Sequence, residues 1–251
     1  MLKPDRVEVI PTEGIVGRAV DALAPGTTVT VTALPGYDVE ATVRTALKLA
    51  EAGMRAVPHV AASRIGTAAR LADMLARFDD SPVDSLFVIG GDGDAAATEF
   101  GDGSGLLRVI RERSGDRFSL GVAAYPEGHP AFDRARGLEI LAAKAPLADF
   151  AVTQLCFDAW EIVRFAADVP LPLWIGVPAP VGLAKLLSIA MRIGVGPSLS
   201  FARKGANRRL LGGFDAARLR AEIVRGLGEA AVPAEGFHVY SFNALPPASR
   251  G

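Results

Sequence analysis

The chain has 251 residues, of which 50% are hydrophobic and 22% charged, which excludes a disordered protein and fits a buried sheet covered by amphipathic helices. Its 27 basic and 28 acidic residues give a net charge of −1, so no overall field attracts nucleic acid or an anionic membrane. The single cysteine, Cys156, excludes an internal disulfide, and no apolar run reaches the roughly 18 residues of a membrane span, so we expect a cytoplasmic protein.

Short apolar or β-branched runs alternate with segments of helical period along the chain. Proline, glycine and N-cap residues such as Asp38 and Thr67 mark their ends. The predicted strands are 6–10, 28–32, 55–61, 85–89, 119–125, 149–154, 172–177 and 237–242. The predicted helices are 14–23, 39–52, 68–78, one capped by Ser104 that runs to 113, 131–144, 158–167, 181–192 and 216–229.

Eight alternating βα units favour a single (β/α)8 barrel domain over residues 1–251. A doubly wound open sheet is the competing architecture, but no Gly-x-Gly-x-x-Gly follows the first strand, where a dinucleotide-binding fold needs it. Segment 194–213 is less regular, and the sequence leaves open the role of its basic stretch from Arg203 to Arg209.

Polar side chains stand near the carboxyl ends of seven of the eight predicted strands. Active sites of β/α barrels lie at this end, so the pattern indicates a lined ligand pocket. Each residue alone is also compatible with an ordinary loop. The residues are Glu8, Thr32, His59, Asp92, Tyr125, His129, Gln154, His238 and Asn243.

Glu8 alternates with Val7 and Val9, so it lies on the opposite face of its strand from those valines. If that face is the barrel interior, a buried carboxyl group at the mouth suits a general acid. A solvated edge glutamate is the alternative, because alternation alone does not decide which face is inside.

The run Gly-Gly-Asp-Gly-Asp at 90–94 allows close backbone approach to a ligand, cation binding through its two aspartates, or a plain tight turn. His59 and His129 lack a third histidine or cysteine at ligand spacing. We therefore expect them to line a pocket by hydrogen bonding and expect no metal site.

Two blocks are specific: Val-Ala-Ala-Tyr-Pro-Glu-Gly-His-Pro at 122–130 and Ala-Asp-Phe-Ala-Val-Thr-Gln-Leu-Cys-Phe-Asp at 148–158. Supporting pieces are Val-Glu-Val-Ile-Pro at 7–11, Val31-Thr32, Pro58-His59, Gly91-Asp92 and His-Val-Tyr-Ser-Phe-Asn at 238–243. With these pieces in the same order from residue 6 to about 243, the sequence resembles a short, divergent member of the methylenetetrahydrofolate reductase family.

The resemblance implies a (β/α)8 barrel that holds FAD and reduces 5,10-methylenetetrahydrofolate to 5-methyltetrahydrofolate with NADH or NADPH. By position, Glu8 matches the family's general acid, Asp92 the aspartate beside the pterin and flavin, and Gln154 a pterin-binding glutamine. Flavin-contacting positions are matched by Thr32, His59, Asp92, Tyr125, His129 and, more loosely, Lys144. The implied partner is a small-molecule folate, and a homo-oligomer is compatible with the sequence.

The departures from the family pattern fall mostly on the flavin side. Ile-Gly-Gly-Asp at 89–92 replaces Leu-Arg-Gly-Asp, so Gly90 stands where an arginine meets the flavin phosphates. Thr12 replaces a proline and Ala61 a threonine. We therefore expect FAD to be weakly held or absent, with NADH in its place. A folate-binding barrel with a different one-carbon reaction, and a non-catalytic regulatory homologue, are the alternatives.

Overall fold

Eight parallel strands close into a barrel in which each strand pairs with the next and the last pairs with the first. The computed structural model describes residues 2–34, 36–91, 97–180 and 215–245. The strands are β1 (Arg6–Val9), β2 (Thr28–Val31), β3 (Arg55–Ala61), β4 (Ser85–Ile89), β5 (Ser119–Ala124), β6 (Phe150–Thr153), β7 (Leu173–Pro178) and β8 (Gly236–Tyr240). The predicted (β/α)8 barrel is confirmed.

Helices lie between the strands along the described part of the chain. They are α1 (Ile15–Ala22), α2 (Val39–Glu51), α3 (Ala62–Ile65), α4 (Ala68–Asp79), α5 (Gly103–Ser114), α6 (Arg134–Lys144), α7 (Ala159–Ala166) and α8 (Ala216–Glu229). The sequence did not predict the four-residue α3, because a single turn leaves too short an apolar pattern to detect.

Two predicted helix starts were wrong because aspartate N-caps override the weaker signals nearby. Asp102, not Ser104, caps α5, accepting hydrogen bonds from the backbone N–H groups of Ser104 and Gly105. Helix α6 starts at Arg134, after its cap Asp133, and not at residue 131. The residues before it form a tight turn in which His129 and Phe132 exchange backbone hydrogen bonds.

The barrel seam between β1 and β8 explains why both strands end earlier than predicted. Ile10 leaves the β1 ladder because the Asn243 side chain engages its backbone, accepting from its N–H at 2.8 Å and donating to its carbonyl at 3.0 Å. Strand β8 stops at Tyr240 because Phe242 and Asn243 take left-handed backbone angles, with φ of 51° and 60°.

The protein has two apolar layers, as a barrel requires. The larger lies between the sheet and the surrounding helices, and the smaller fills the barrel interior around Phe87, Phe150 and Trp174. Gly121 makes room for the interior ring of Phe150, since a Cβ atom at residue 121 would lie 2.3 Å from that ring. The carboxyl half of the interior is left for polar side chains.

Several predictions fall outside the described residues. They concern Asp92 and Asp94, the helix at 181–192 and the basic stretch within segment 194–213. In the part of the chain that is described, no helix has the length and apolar character needed to cross a lipid bilayer.

Candidate active site

A cavity of about 620 Å³ opens at the carboxyl end of the barrel. This volume lies within the range of small-molecule and cofactor sites. The structure brings together in its lining most of the predicted site residues, namely Glu8, Thr32, His59, Tyr125, His129, Lys144 and Gln154. Asp92 lies outside the described residues, although the preceding Gly90 and Gly91 line the cavity.

Glu8 points into the barrel, and two imidazoles flank its carboxylate. Its Oε2 atom lies 3.2 Å from His238 Nε2, within hydrogen-bonding distance, and 3.5 Å from His59 Nε2. The second contact is not aligned as a hydrogen bond. The Glu8 side chain is 13% exposed, so of the two faces that the sequence left open it lies on the interior one.

Burial holds His59 neutral at physiological pH. Desolvation lowers the pKa of the imidazole to about 4; the Glu8 carboxylate opposes this fall and His238 adds to it. At pH 7 the Glu8 carboxyl group therefore meets an uncharged imidazole on this side. The His59 ring also packs on Phe87, with 4.8 Å between ring centroids.

This buried imidazole should make folding pH-dependent. The His59 pKa is depressed from 6.5 to about 4 in the folded state, so between these pH values the unfolded chain binds the additional proton. Stability is full above pH 6.5, and we expect about 3 kcal/mol to be lost as the pH falls to 4. Urea unfolding at pH 7 and pH 4 measures this loss in the free energy of unfolding. His59→Gln is the control, because it removes the titrating ring. An equal loss in both proteins would assign the effect to other groups.

The carboxyl end of β8 clamps the backbone around Glu8. The Ser241 hydroxyl donates to the Glu8 carbonyl, and Asn243 Nδ2 donates to Thr12 Oγ1 at 3.0 Å as well as to Ile10. These bonds hold Asn243 in its left-handed conformation, which costs on the order of 1 kcal/mol. The position of Glu8 is therefore set by residues more than 230 positions away along the chain.

An aromatic wall lines the cavity on the β5 side. The His129 ring stacks on Phe132 at 4.7 Å between centroids, and Tyr125 meets both rings edge-on. His129 Nδ1 accepts a hydrogen bond from the Ala131 backbone, which favours the tautomer with hydrogen on Nε2. Flat apolar faces beside a ring N–H suit a planar heteroaromatic ligand.

Another part of the cavity lies where the amino end of α5 comes near the end of α6. Asp102, Gly103 and Ser104 line the cavity here, together with Lys144. Burial lowers the pKa of the Lys144 amine, while the Asp102 carboxylate opposes that shift. This corner therefore carries one carboxylate and one partly buried ammonium group.

Some lining residues were not assigned to the site from the sequence. Tyr240 donates its hydroxyl hydrogen to the Thr153 carbonyl at 2.9 Å, and burial, with Glu8 next, raises its pKa well above the ordinary value. The alternation of His238, Val239 and Tyr240 could have indicated that the two polar residues share a face. Asp102 and Phe242 left no such signal, because neither lies on a predicted strand and their approach to the cavity depends on the tertiary structure.

The closed barrel and the cavity at the carboxyl ends of its strands define this protein as a (β/α)8 barrel with a ligand-sized pocket at the end where sites of this fold lie. A family profile described as methylenetetrahydrofolate reductase matches residues 17–174, well over half of the chain. The chain belongs to the methylenetetrahydrofolate reductase family, as its sequence motifs predict.

Named relatives share a short part of this chain. Methylenetetrahydrofolate reductase 2 of Schizosaccharomyces pombe is 36% identical over 80 residues, which are 29% of this chain and 12% of the relative. The probable methylenetetrahydrofolate reductase (NADPH) of Caenorhabditis elegans is 35% identical over 92 residues, covering 34% of this chain and 14% of the relative. The match thus spans a small fraction of each relative's length.

Solved structures share the fold at low sequence identity. An oxaloacetate acetylhydrolase in complex with 3,3-difluorooxalacetate aligns with a TM-score of 0.53 and 14% identity over 90% of each chain. A lyase/mutase from Burkholderia cenocepacia, described as putative, aligns with a TM-score of 0.52 and 14% identity, covering 93% of this chain and 94% of that one. Both likenesses show the barrel alone.

Proposed function

We propose that this protein reduces 5,10-methylenetetrahydrofolate to 5-methyltetrahydrofolate, with NADH or NADPH as the source of hydride. The observation that carries the proposal is the Glu8 carboxyl group, buried between His59 and His238 in the cavity that Gln154 also lines. Family membership supports the substrate class.

The proposed role of Glu8 follows from the chemistry of the substrate. The methylene carbon bridges two nitrogens and accepts hydride only once the ring opens to an iminium cation. Glu8 supplies the proton that N10 takes up as its bond to that carbon breaks. Hydride then bonds to the methylene carbon, which becomes the methyl group on N5, and the nicotinamide is left oxidised.

Gln154 is proposed to hold the pterin through its side-chain amide. Its backbone N–H is already used, donating to the Ala124 carbonyl at 2.7 Å, which fixes the residue at the end of β6. The side chain lines the cavity, where an amide can both donate to and accept from a pterin edge. This pairing would set the distance between the pterin and Glu8.

We expect Gln154→Ala to weaken folate binding by about 1–3 kcal/mol, because the pterin edge loses its partner in a desolvated site. Calorimetric titration with a tetrahydrofolate, without nucleotide, measures this loss. Glu8→Gln is the matched control, since it should bind folate nearly as well as the wild type. An unchanged dissociation constant in Gln154→Ala would give this glutamine a purely structural role.

The cavity suits the ring system of a flavin or nicotinamide better than the diphosphate of FAD. Thr32 Oγ1 and His59 Nε2 are buried without a hydrogen-bond partner among the described residues, and both residues line the cavity. We propose this part of the cavity as the ring side, which would hold the planar ring system. We propose Gly90 and the amino end of α5 as the phosphate side. Gly90 carries no charge, and the Asp102 side chain already accepts hydrogen bonds from the first free backbone N–H groups of α5. A carboxylate at that helix end repels a diphosphate.

The cations that line the described part of the cavity do not compensate two phosphates. Arg136 is paired with Glu139 at 2.7 Å, and the Lys144 ammonium group interacts with the Asp102 carboxylate. A resident prosthetic group needs tight binding, whereas a co-substrate that leaves at every turnover works at micromolar to millimolar affinity. We therefore propose that the reduced nicotinamide binds on the ring side and transfers hydride directly to the folate.

An assay of nucleotide oxidation by the purified protein tests the proposed function. Oxidation of NADH or NADPH only when 5,10-methylenetetrahydrofolate is present supports reduction of the folate. A protein that binds tetrahydrofolate with no turnover would be a binding or regulatory homologue. Conversion of the folate without nucleotide oxidation would indicate a different one-carbon reaction.

A further inference from the structure

A second cavity, of about 320 Å³, opens at the amino end of the barrel, opposite the site described above. Its walls come from the start of β1 and the residues before it, from the loop that leads into β2, from β3, from the start of β4 and from β7. Charged groups are frequent there, and Arg6 lies at its inner end, where the barrel interior begins. The charged lining residues are Lys3, Asp5, Arg6, Arg55 and Asp84.

Arg6 is held rigidly between two aromatic rings. Its guanidinium carbon lies 4.2 Å from the centre of the Phe150 ring and 4.0 Å from that of Trp174. Such contacts fix the plane of the guanidinium but accept none of its N–H groups. Desolvation lowers the pKa of Arg6 to about 10, so the group stays charged at neutral pH.

The other charged groups lining this cavity have partners of opposite sign. Lys3 contacts Glu235, and Arg55 lies 3.5 Å from Asp84. Asp5 is bound by Arg220 at 2.8 Å.

Arg6 differs from these groups. Within the described ranges no carboxylate or carbonyl accepts a hydrogen bond from it, and its Nε atom is fully buried without a partner. The Arg6 guanidinium is therefore a positive charge whose planar set of N–H donors has no acceptor among the described residues. A buried N–H group without an acceptor, such as this Nε–H, is rare in folded proteins, because its desolvation is then uncompensated.

We propose that this cavity is an oxyanion-binding site in which Arg6 holds a phosphate or carboxylate group. The planar fork of a guanidinium matches two oxygens of either group. The Thr28 side chain lines the same cavity and offers a hydroxyl group. Arg6 and Glu8 alternate on one strand but serve opposite mouths of the barrel, so an anion here does not compete with a folate.

Calorimetric titration of the full chain with inorganic phosphate, at constant ionic strength set with chloride, tests the proposal. We expect one phosphate to bind the wild type, and Arg6→Met to weaken binding about tenfold or more through loss of charged hydrogen bonds. Methionine keeps an apolar stem between the two rings. A parallel titration with acetate distinguishes the sources of the anion: tighter binding of acetate identifies a carboxylate ligand, and tighter binding of phosphate a phosphate.

Lys144→Met is the matched control, because it removes a buried cation from the large cavity and should leave phosphate binding unchanged. If binding is lost in Lys144→Met and kept in Arg6→Met, the anion binds in the large cavity and the proposal is wrong. The absence of binding of either anion to the wild type also overturns it. Arg6→Lys is the variant to titrate if Arg6→Met does not fold. It keeps the charge but lacks the fork, so undiminished phosphate binding by folded Arg6→Lys would contradict the role of Arg6.

Discussion

Replacing Glu8 with glutamine is expected to lower turnover by about 10²–10⁴-fold, the range for loss of a general acid. The amide keeps the size of the side chain and can still hydrogen-bond to His238, which lies 3.2 Å away. It has no proton to give to N10, so the iminium forms only slowly. Steady-state oxidation of NADH with saturating folate measures the loss.

Folding and folate affinity separate this effect from structural damage. Glu8→Gln should unfold at nearly the same urea concentration as the wild type and bind tetrahydrofolate about as tightly. Glu8→Asp is a useful companion, since it keeps the acid but moves it by one methylene group away from His238. Turnover in Glu8→Gln close to the wild-type rate would exclude Glu8 as the proton donor.

The second large effect concerns the flavin, and the freshly purified protein is expected to be colourless. The arginine missing at Gly90 would have made a charge-assisted contact worth about 2–3 kcal/mol. Gly90→Arg should therefore tighten FAD binding by about 30- to 150-fold. The site tolerates a side chain, because a Cβ atom at residue 90 would meet only Gly103 N, at 3.6 Å. Flavin fluorescence titration compares the two proteins.

Gly90→Gln controls for the added side chain without the charge and should bind FAD as weakly as the wild type. Gly91 is unsuitable for the same test, since its φ is +81° and a Cβ atom there would lie 2.3 Å from Ser63 Oγ. Wild-type protein that keeps stoichiometric FAD through gel filtration, and loses activity when the flavin is removed, would contradict direct hydride transfer.

Local sequence signals were sufficient for the fold and for most of the cavity lining. Proline and glycine mark the ends of the βα units, and buried parallel strands have apolar sequences that end at polar residues. Because all eight strands are parallel, their carboxyl ends meet at one mouth, which places Glu8, His59, Tyr125 and Gln154 together without knowledge of any contact. Their proposed chemical roles depend on the family motifs.

Contacts across the barrel seam were decided by the tertiary structure alone. Closure of the sheet brings β8 against β1, and only then does His238 meet Glu8, 230 residues away, and Asn243 clamp Ile10. Local patterns carry no information about which strand ends meet, because pairing depends on the register of the whole sheet. The same reason applies to the Asp102 carboxylate near Lys144 and to Arg6, whose Nε–H finds no acceptor among the described residues. Each depends on which groups distant segments bring into contact.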